Sequence, residues 1–120
     1  MLKKLFFWRK PQSSEADQRV IGLLKREDAD LSQRRELLHY LYLPSESAAN
    51  QVSRDLLADG YTVEMRKASN ADQNPPNPWL VLARIVTLIN DENVERARNR
   101  LTELTSRYGG EYDGWEAAVR

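Results

Sequence analysis

Two short segments restrict most strongly what this chain can fold into. Residues 37–43 and 79–88 are apolar on nearly every position, interrupted by His39 in the first and by Arg84 and Thr87 in the second. Both are too short for buried helices, and the first is bounded by charge before it and by Pro44 after it. Such runs read as strands buried in a sheet. Each strand presents two apolar faces, because successive side chains alternate across the pleat. In the first, one set is Leu38, Tyr40 and Tyr42, and the other is Leu37, His39, Leu41 and Leu43. In the second, Arg84 marks the outer set, whose companions are Leu80, Leu82 and Val86. A sheet with one face on helices and the other open would leave a large apolar surface bare, so that face needs a cover. Three covers are available: a leading helix carrying Ile21 and Leu24, a second copy of the chain, or a protein partner.

The segments between these strands carry helical periodicity. Ser45 caps a helix over 45–59, in which Ala49, Val52 and Leu56 share a face and Gly60 ends the run. Asn90 or Asp91 caps a second helix over 91–108. Its stripe is Val94, Ala97, Leu101, Leu104 and Tyr108, and its solvent face carries Glu92 with Arg96 and Glu103 with Arg107, each four apart. Residues 61–66 alternate with period two, Val63 and Met65 inward. Residues 68–78, with Asn70, Asn74, Asn77 and three prolines, form a loop. Gly109 and Gly110 end the second helix, a final strand spans 111–115, and Asp113-Gly114 reads as a turn step. Ser14 caps a further helix over 15–27. The order after it is strand, helix, strand, strand, helix, strand. The fold class expected is therefore α+β: a ferredoxin-like βαββαβ sandwich, a four-stranded antiparallel sheet with two helices on one face, preceded by an extra N-terminal helix.

Residues 1–12 read as a basic-aromatic arm, set apart by Pro11 and Gln12-Ser13-Ser14 from a single domain over 13–120. The arm holds Lys3, Lys4, Arg9 and Lys10 without an acid, which leaves 14 basic groups against 18 acidic ones in the rest of a chain whose net charge is zero. An acidic body does not favour nucleic acid, which prefers a basic face. The run Leu5-Phe6-Phe7-Trp8 falls far short of the roughly 20 residues that span a bilayer. Docking on the body, or an absence of fixed structure, is favoured for the arm over a seat on a membrane surface. With no cysteine, disulfides and thiolate metal sites are excluded, and the cytoplasm is the expected compartment.

No apparatus for catalysis is visible. His39 is the one histidine, and it reads as a sheet-face or core residue, because no cysteine, acidic loop or oriented nucleophile accompanies it. The glycines never form a phosphate-binding fingerprint. No catalytic residue, cofactor, metal or small-molecule substrate is expected.

The stretch Tyr108-Gly109-Gly110-Glu111-Tyr112-Asp113-Gly114-Trp115 resembles the terminal signature of the regulator of ribonuclease activity B (RraB) proteins. The segment His39-Tyr40-Leu41-Tyr42-Leu43-Pro44-Ser45 resembles that family's first strand and its turn into a helix, Gly60-Tyr61-Thr62-Val63 its helix-to-strand junction, and Trp79-Leu80-Val81 its third strand. The resemblance covers about residues 28–118. It implies a ferredoxin-like fold and a non-catalytic regulator that binds ribonuclease E, or a related RNA-degradation factor, and lowers its endonuclease activity. The contact residues expected on the sheet face are Arg84, Leu80 and Leu82, with Tyr112, Asp113 and Trp115 of the terminal strand as further candidates. Self-association through the open face is a second use of the same surface. The alternative function is an RNA-binding or general protein-interaction module of the same topology, since RNA-recognition domains place aromatics on their open sheet. The third strand shows no paired aromatic motif of that kind.

Overall fold

The structure is a computed structural model that describes residues 3–6, 18–19, 21–22, 32–67 and 77–119. It is an α+β fold. Five antiparallel strands form one sheet: β1 (Lys3–Phe6), β2 (Arg35–Leu43), β3 (Thr62–Lys67), β4 (Trp79–Thr87) and β5 (Glu111–Val119), in the spatial order β1-β5-β2-β4-β3. Two helices, α1 (Glu46–Ala58) and α2 (Asp91–Arg107), cross between them. Residues 18–19 and 21–22 are helical and Ile21 is buried; the rest of the helix expected over 15–27 lies outside the described residues.

Both helices begin where the sequence supplies a cap. The Ser45 hydroxyl accepts from the Ala48 amide at 3.1 Å, and Asn90 Oδ1 accepts from the Asn93 amide at 2.8 Å. Each ends in the same way. The Tyr61 amide donates to Leu56 O and the Gly110 amide to Thr105 O, closing the last turns over Gly60 and Gly109, whose φ angles are +97° and +76°. Gly110 has a second reason to be glycine: an added Cβ would stand 2.6 Å from Leu43 Cδ1 and would run into the Tyr42 carbonyl. That close approach seats the start of β5 against β2. On the exposed side of α2, the Glu92–Arg96 and Glu103–Arg107 pairs form at 2.6 and 2.8 Å, each contributing a few tenths of a kcal/mol.

One main core fills the space between helices and sheet. Ala49, Val52 and Leu56 of α1 and Leu101 and Leu104 of α2 pack on Leu41, Leu43, Val81, Ala83 and Tyr112. Val63 and Met65 of β3 pack against it from the edge.

Two expectations need correction. The first is the turn at Asp113-Gly114. β5 does not stop at Trp115 but runs to Val119, and Asp113 is a β-bulge within it. Tyr40 pairs with Gly114 and Leu41 with Tyr112, so Asp113 is the extra residue. Gly114 takes φ +111°, the left-handed half of the map that a side chain disfavours. A bulge and a turn need the same Asp-Gly pair, so local sequence does not distinguish them. The second concerns strand number. The four expected strands are present as β2 to β5 with the two helices between them, and the longer β5 offers its far edge to β1, with Lys3 opposite Val119 and Phe6 opposite Glu116, which adds a fifth strand. Part of the segment expected to be a separate arm is an edge strand.

The bulge has a consequence for the core. Tyr112 and Trp115 are three residues apart and would face opposite ways in a regular strand. The extra residue restores them to one face: Tyr112 lies opposite Leu41, Trp115 opposite His39, and both are on the helix side, 2% and 1% exposed. Trp115→Ala is expected to lower the unfolding free energy by about 3–5 kcal/mol. The check is a fall in the denaturation midpoint at unchanged slope; an unchanged midpoint would place the indole outside the core.

Candidate functional site

The face of the sheet away from the helices is built from three strands in register. Leu80, Leu82, Arg84 and Val86 of β4 stand beside Tyr42, Tyr40, Leu38 and Glu36 of β2, and beside Arg66, Glu64 and Thr62 of β3. Its middle is covered. Leu38, Leu80 and Leu82 form a small cluster with Tyr40 and Tyr42 against it, and the three leucines are 7%, 8% and 3% exposed. That burial is present in the single chain, so no second copy or partner is needed to produce it. The Tyr40 hydroxyl donates to Glu116 Oε1 at 2.8 Å. Partial burial, and then the bond to the neighbouring carboxylate, push the phenol up to about 12.

The other part of this face is open. Where β2 begins and β4 ends, Val86 is 58% exposed and lies opposite Glu36. Arg84 keeps 40% of its side-chain surface and approaches Glu36 at 3.9 Å. An exposed pair at that distance contributes little to stability. The guanidinium therefore has little tying it to the fold and stands beside an apolar group at the rim of the sheet.

The structure separates the residues singled out from sequence. Leu80, Leu82 and Arg84 share the outer face, with the two leucines beneath a cover and Arg84 beyond it. Tyr112 and Trp115 are on the opposite, helix-packed face, and Asp113 is nearly buried at the bulge. Glu36 is a surface neighbour the sequence reading did not single out. Its place in the alternating set with Leu38 and Tyr40 was the available signal.

On the helix side of the same end of the sheet lies a cleft of about 270 Å³. Leu37, His39 and Ile85 line it from the strands, Tyr61 from the chain after α1, and Asn93, Arg96, Ala97 and Arg100 from α2. The Arg100 Nε–Asp59 Oδ2 pair, at 2.9 Å, ties the middle of α2 to the residue that ends α1, and the hydrogen bond to Asp59 raises the guanidinium pKa further. His39 is a core histidine, as expected. Its Nδ1 lies 2.8 Å from the Tyr112 hydroxyl, its ring stands edge-on to Tyr61 at 5.9 Å, and its Nε2 has no hydrogen-bond partner among the described residues. No group of three His, Asp or Glu residues that could hold a metal is present among the described residues, and no helix there is long and apolar enough to cross a membrane.

Burial of His39 lowers its pKa from 6.5 to about 3, because the charged imidazolium would be stripped of water. The unfolded chain binds a proton at this site below about pH 6.5, while the folded chain does so only near pH 3. Stability therefore falls as the pH drops through 6.5, by about 1.4 kcal/mol per unit. Between pH 6.5 and 5, where no other histidine titrates, the wild type should lose about 2 kcal/mol more than His39→Gln. Denaturation curves at the two pH values check this; equal losses in the two proteins would show that His39 is hydrated in the folded state.

No curated protein matches the chain. A family does: residues 14–117 match the one described as Regulator of ribonuclease activity B. The match spans both helices, β2, β3 and β4, and β5 as far as Ala117. On that match, extending over most of its length, this chain belongs to the regulator of ribonuclease activity B family.

Proposed function

We propose that this protein is a non-catalytic inhibitor that acts by docking on an endonuclease of the ribonuclease E type, and that the open end of its outer sheet face makes the contact. Membership of a family of ribonuclease regulators supports a protein partner of the ribonuclease kind. The observation that carries the surface is the juxtaposition of Arg84 and Val86 at the β2–β4 end, both accessible, beside a leucine cluster already covered. An arginine with a long, weak ion pair next to an exposed aliphatic group is the composition found at interface centres. Glu36 and Glu64 alternate with Arg84 and Arg66 across this face, which fits a protein surface of mixed charge better than a phosphate backbone.

In this reading the body is a ferredoxin-like sandwich that serves as a rigid platform. Its compartment is the cytoplasm, where RNA turnover takes place. Inhibition then comes from occupying or holding the nuclease, with no bond made or broken by the regulator.

Leu82 is not a suitable site for a test, because a charge at a position 3% exposed would disrupt the fold. Arg84→Glu and Val86→Asp are both accessible changes. Each should reduce capture of the purified nuclease, and relief of RNA cleavage inhibition should follow in the same order. Loss of an interface-centre arginine corresponds to about 2 kcal/mol, or roughly thirtyfold in affinity. Full binding and inhibition by both folded variants would remove the sheet face from the account. Salt-sensitive binding to RNA alone, lost in Arg84→Glu, would favour the RNA-binding alternative.

A further inference from the structure

The cleft on the helix side of the β2–β4 end is absorbed neither by the core nor by the outer face. Its base is apolar: Leu37 and Ile85 lie opposite each other in the sheet, and Ala97 faces them from α2. Among the described residues that line it, the buried side-chain atom without a hydrogen-bond partner is Nε2 of His39, a residue 1% exposed. The two nitrogens of an imidazole point to different sides of the ring. Nδ1 is turned to Tyr112 on β5. Nε2 is therefore directed to the other side of β2, where β4, Tyr61 and the cleft lie. It is shielded from solvent, and the Tyr61 ring, which also lines the cleft, packs T-shaped against the imidazole with centroids 5.9 Å apart. A rotamer change of Tyr61, of the kind interfaces commonly show on binding, would open the nitrogen to an incoming group.

We propose that this cleft is a receptor for one tyrosine side chain presented by a protein partner. A volume of about 270 Å³ accommodates a single aromatic ring. The ring would lie on Leu37, Ile85 and Ala97, with the Arg100 guanidinium at its margin, an arrangement that favours an aromatic face. The hydroxyl would meet His39 Nε2. That nitrogen is a donor or an acceptor according to which nitrogen carries the proton, and a phenol serves either, whereas an indole can only donate. Phenylalanine would leave the imidazole nitrogen buried and unpaired, so the pocket discriminates by hydroxyl. This inference rests on the reading of the chain as a protein-binding regulator. It concerns the face opposite Arg84, at the same end of the same two strands, so one partner could clasp that end from both sides.

The test needs no nuclease, so its outcome is separate from that of the sheet-face variants. The full chain, isotopically labelled, is titrated with N-acetyl-L-tyrosinamide and with N-acetyl-L-phenylalaninamide. His39 is the chain's single histidine, which makes its ring signals unambiguous. The tyrosine amide should shift the His39 Nε2 and Ala97 signals saturably and bind about fivefold more tightly than the phenylalanine amide. Ala97→Phe, which fills the cleft from a half-exposed helix position, should abolish the shift. Absence of a saturable His39 shift in the wild type would overturn the proposal. So would equal binding of the two amides, or a shift that persists in folded Ala97→Phe.

Discussion

The arrangement of this molecule depends on one extra residue in its last strand. Without Asp113 as a bulge, Tyr112 and Trp115 would point to opposite faces of β5, and one of the two large rings would leave the core. With it, Tyr112 joins the cluster beneath the helices and its hydroxyl reaches His39, while Trp115 is buried opposite the same histidine. Gly114 makes the bulge conformation accessible, and Gly110 lets β5 begin close against Tyr42 and Leu43. The run from Gly109 to Trp115 is thus a set of coupled backbone constraints: helix stop, close strand entry, bulge, and return to register. A segment that must do all of these has little freedom in its residue types. The bulge also leaves β5 in register to pair with β2 as far as Leu37 and with β1 along its outer edge.

This register sets the two faces of the β2–β4 end of the sheet. On the outer face, the alternation along β4 moves from leucines under cover to Arg84 and Val86 in solvent. On the helix face, the same strands carry Leu37 and Ile85 past the main core and into the cleft, where α1 has ended and the Asp59–Arg100 pair links its terminus to α2. The main core spans the Leu41–Leu43 end of β2, so the opposite end retains accessible side chains on both faces. The docking role proposed for this chain needs such a place: a rigid element with accessible side chains that the fold does not require for its own stability. The weak Arg84–Glu36 pair and the exposed Val86 meet that description, whereas Trp115 and Tyr112 do not.

Much of this was legible in the sequence where the signal is local. The caps at Ser45 and Asn90, the stripe Val94, Leu101 and Leu104, and the glycine stops follow from periodicity and turn chemistry within a few residues. Arg84 as the marker of the outer set follows from strict alternation. What was missed is long-range. Asp-Gly suits a turn and a bulge equally, and the pairing of β5 with β2 decides between them. Lys3–Phe6 becomes a strand because β5 is long enough to receive it, a property of residues more than a hundred positions away. The His39–Tyr112 contact spans 73 positions. Ala97, read as part of a core stripe, is half-exposed in the cleft, since periodicity gives the face of a helix but not where the opposing layer ends.

The central claim is that the β2–β4 end, and not the edge formed by β1 and β5, meets the nuclease. Amide hydrogen exchange of the regulator, free and bound to a ribonuclease E-type endonuclease, tests it directly. The account predicts added protection in residues 35–38 and 84–88, with residues 111–119 unchanged on complex formation. Protection confined to residues 3–6 and 111–119, with 84–88 exchanging as in the free protein, would contradict it.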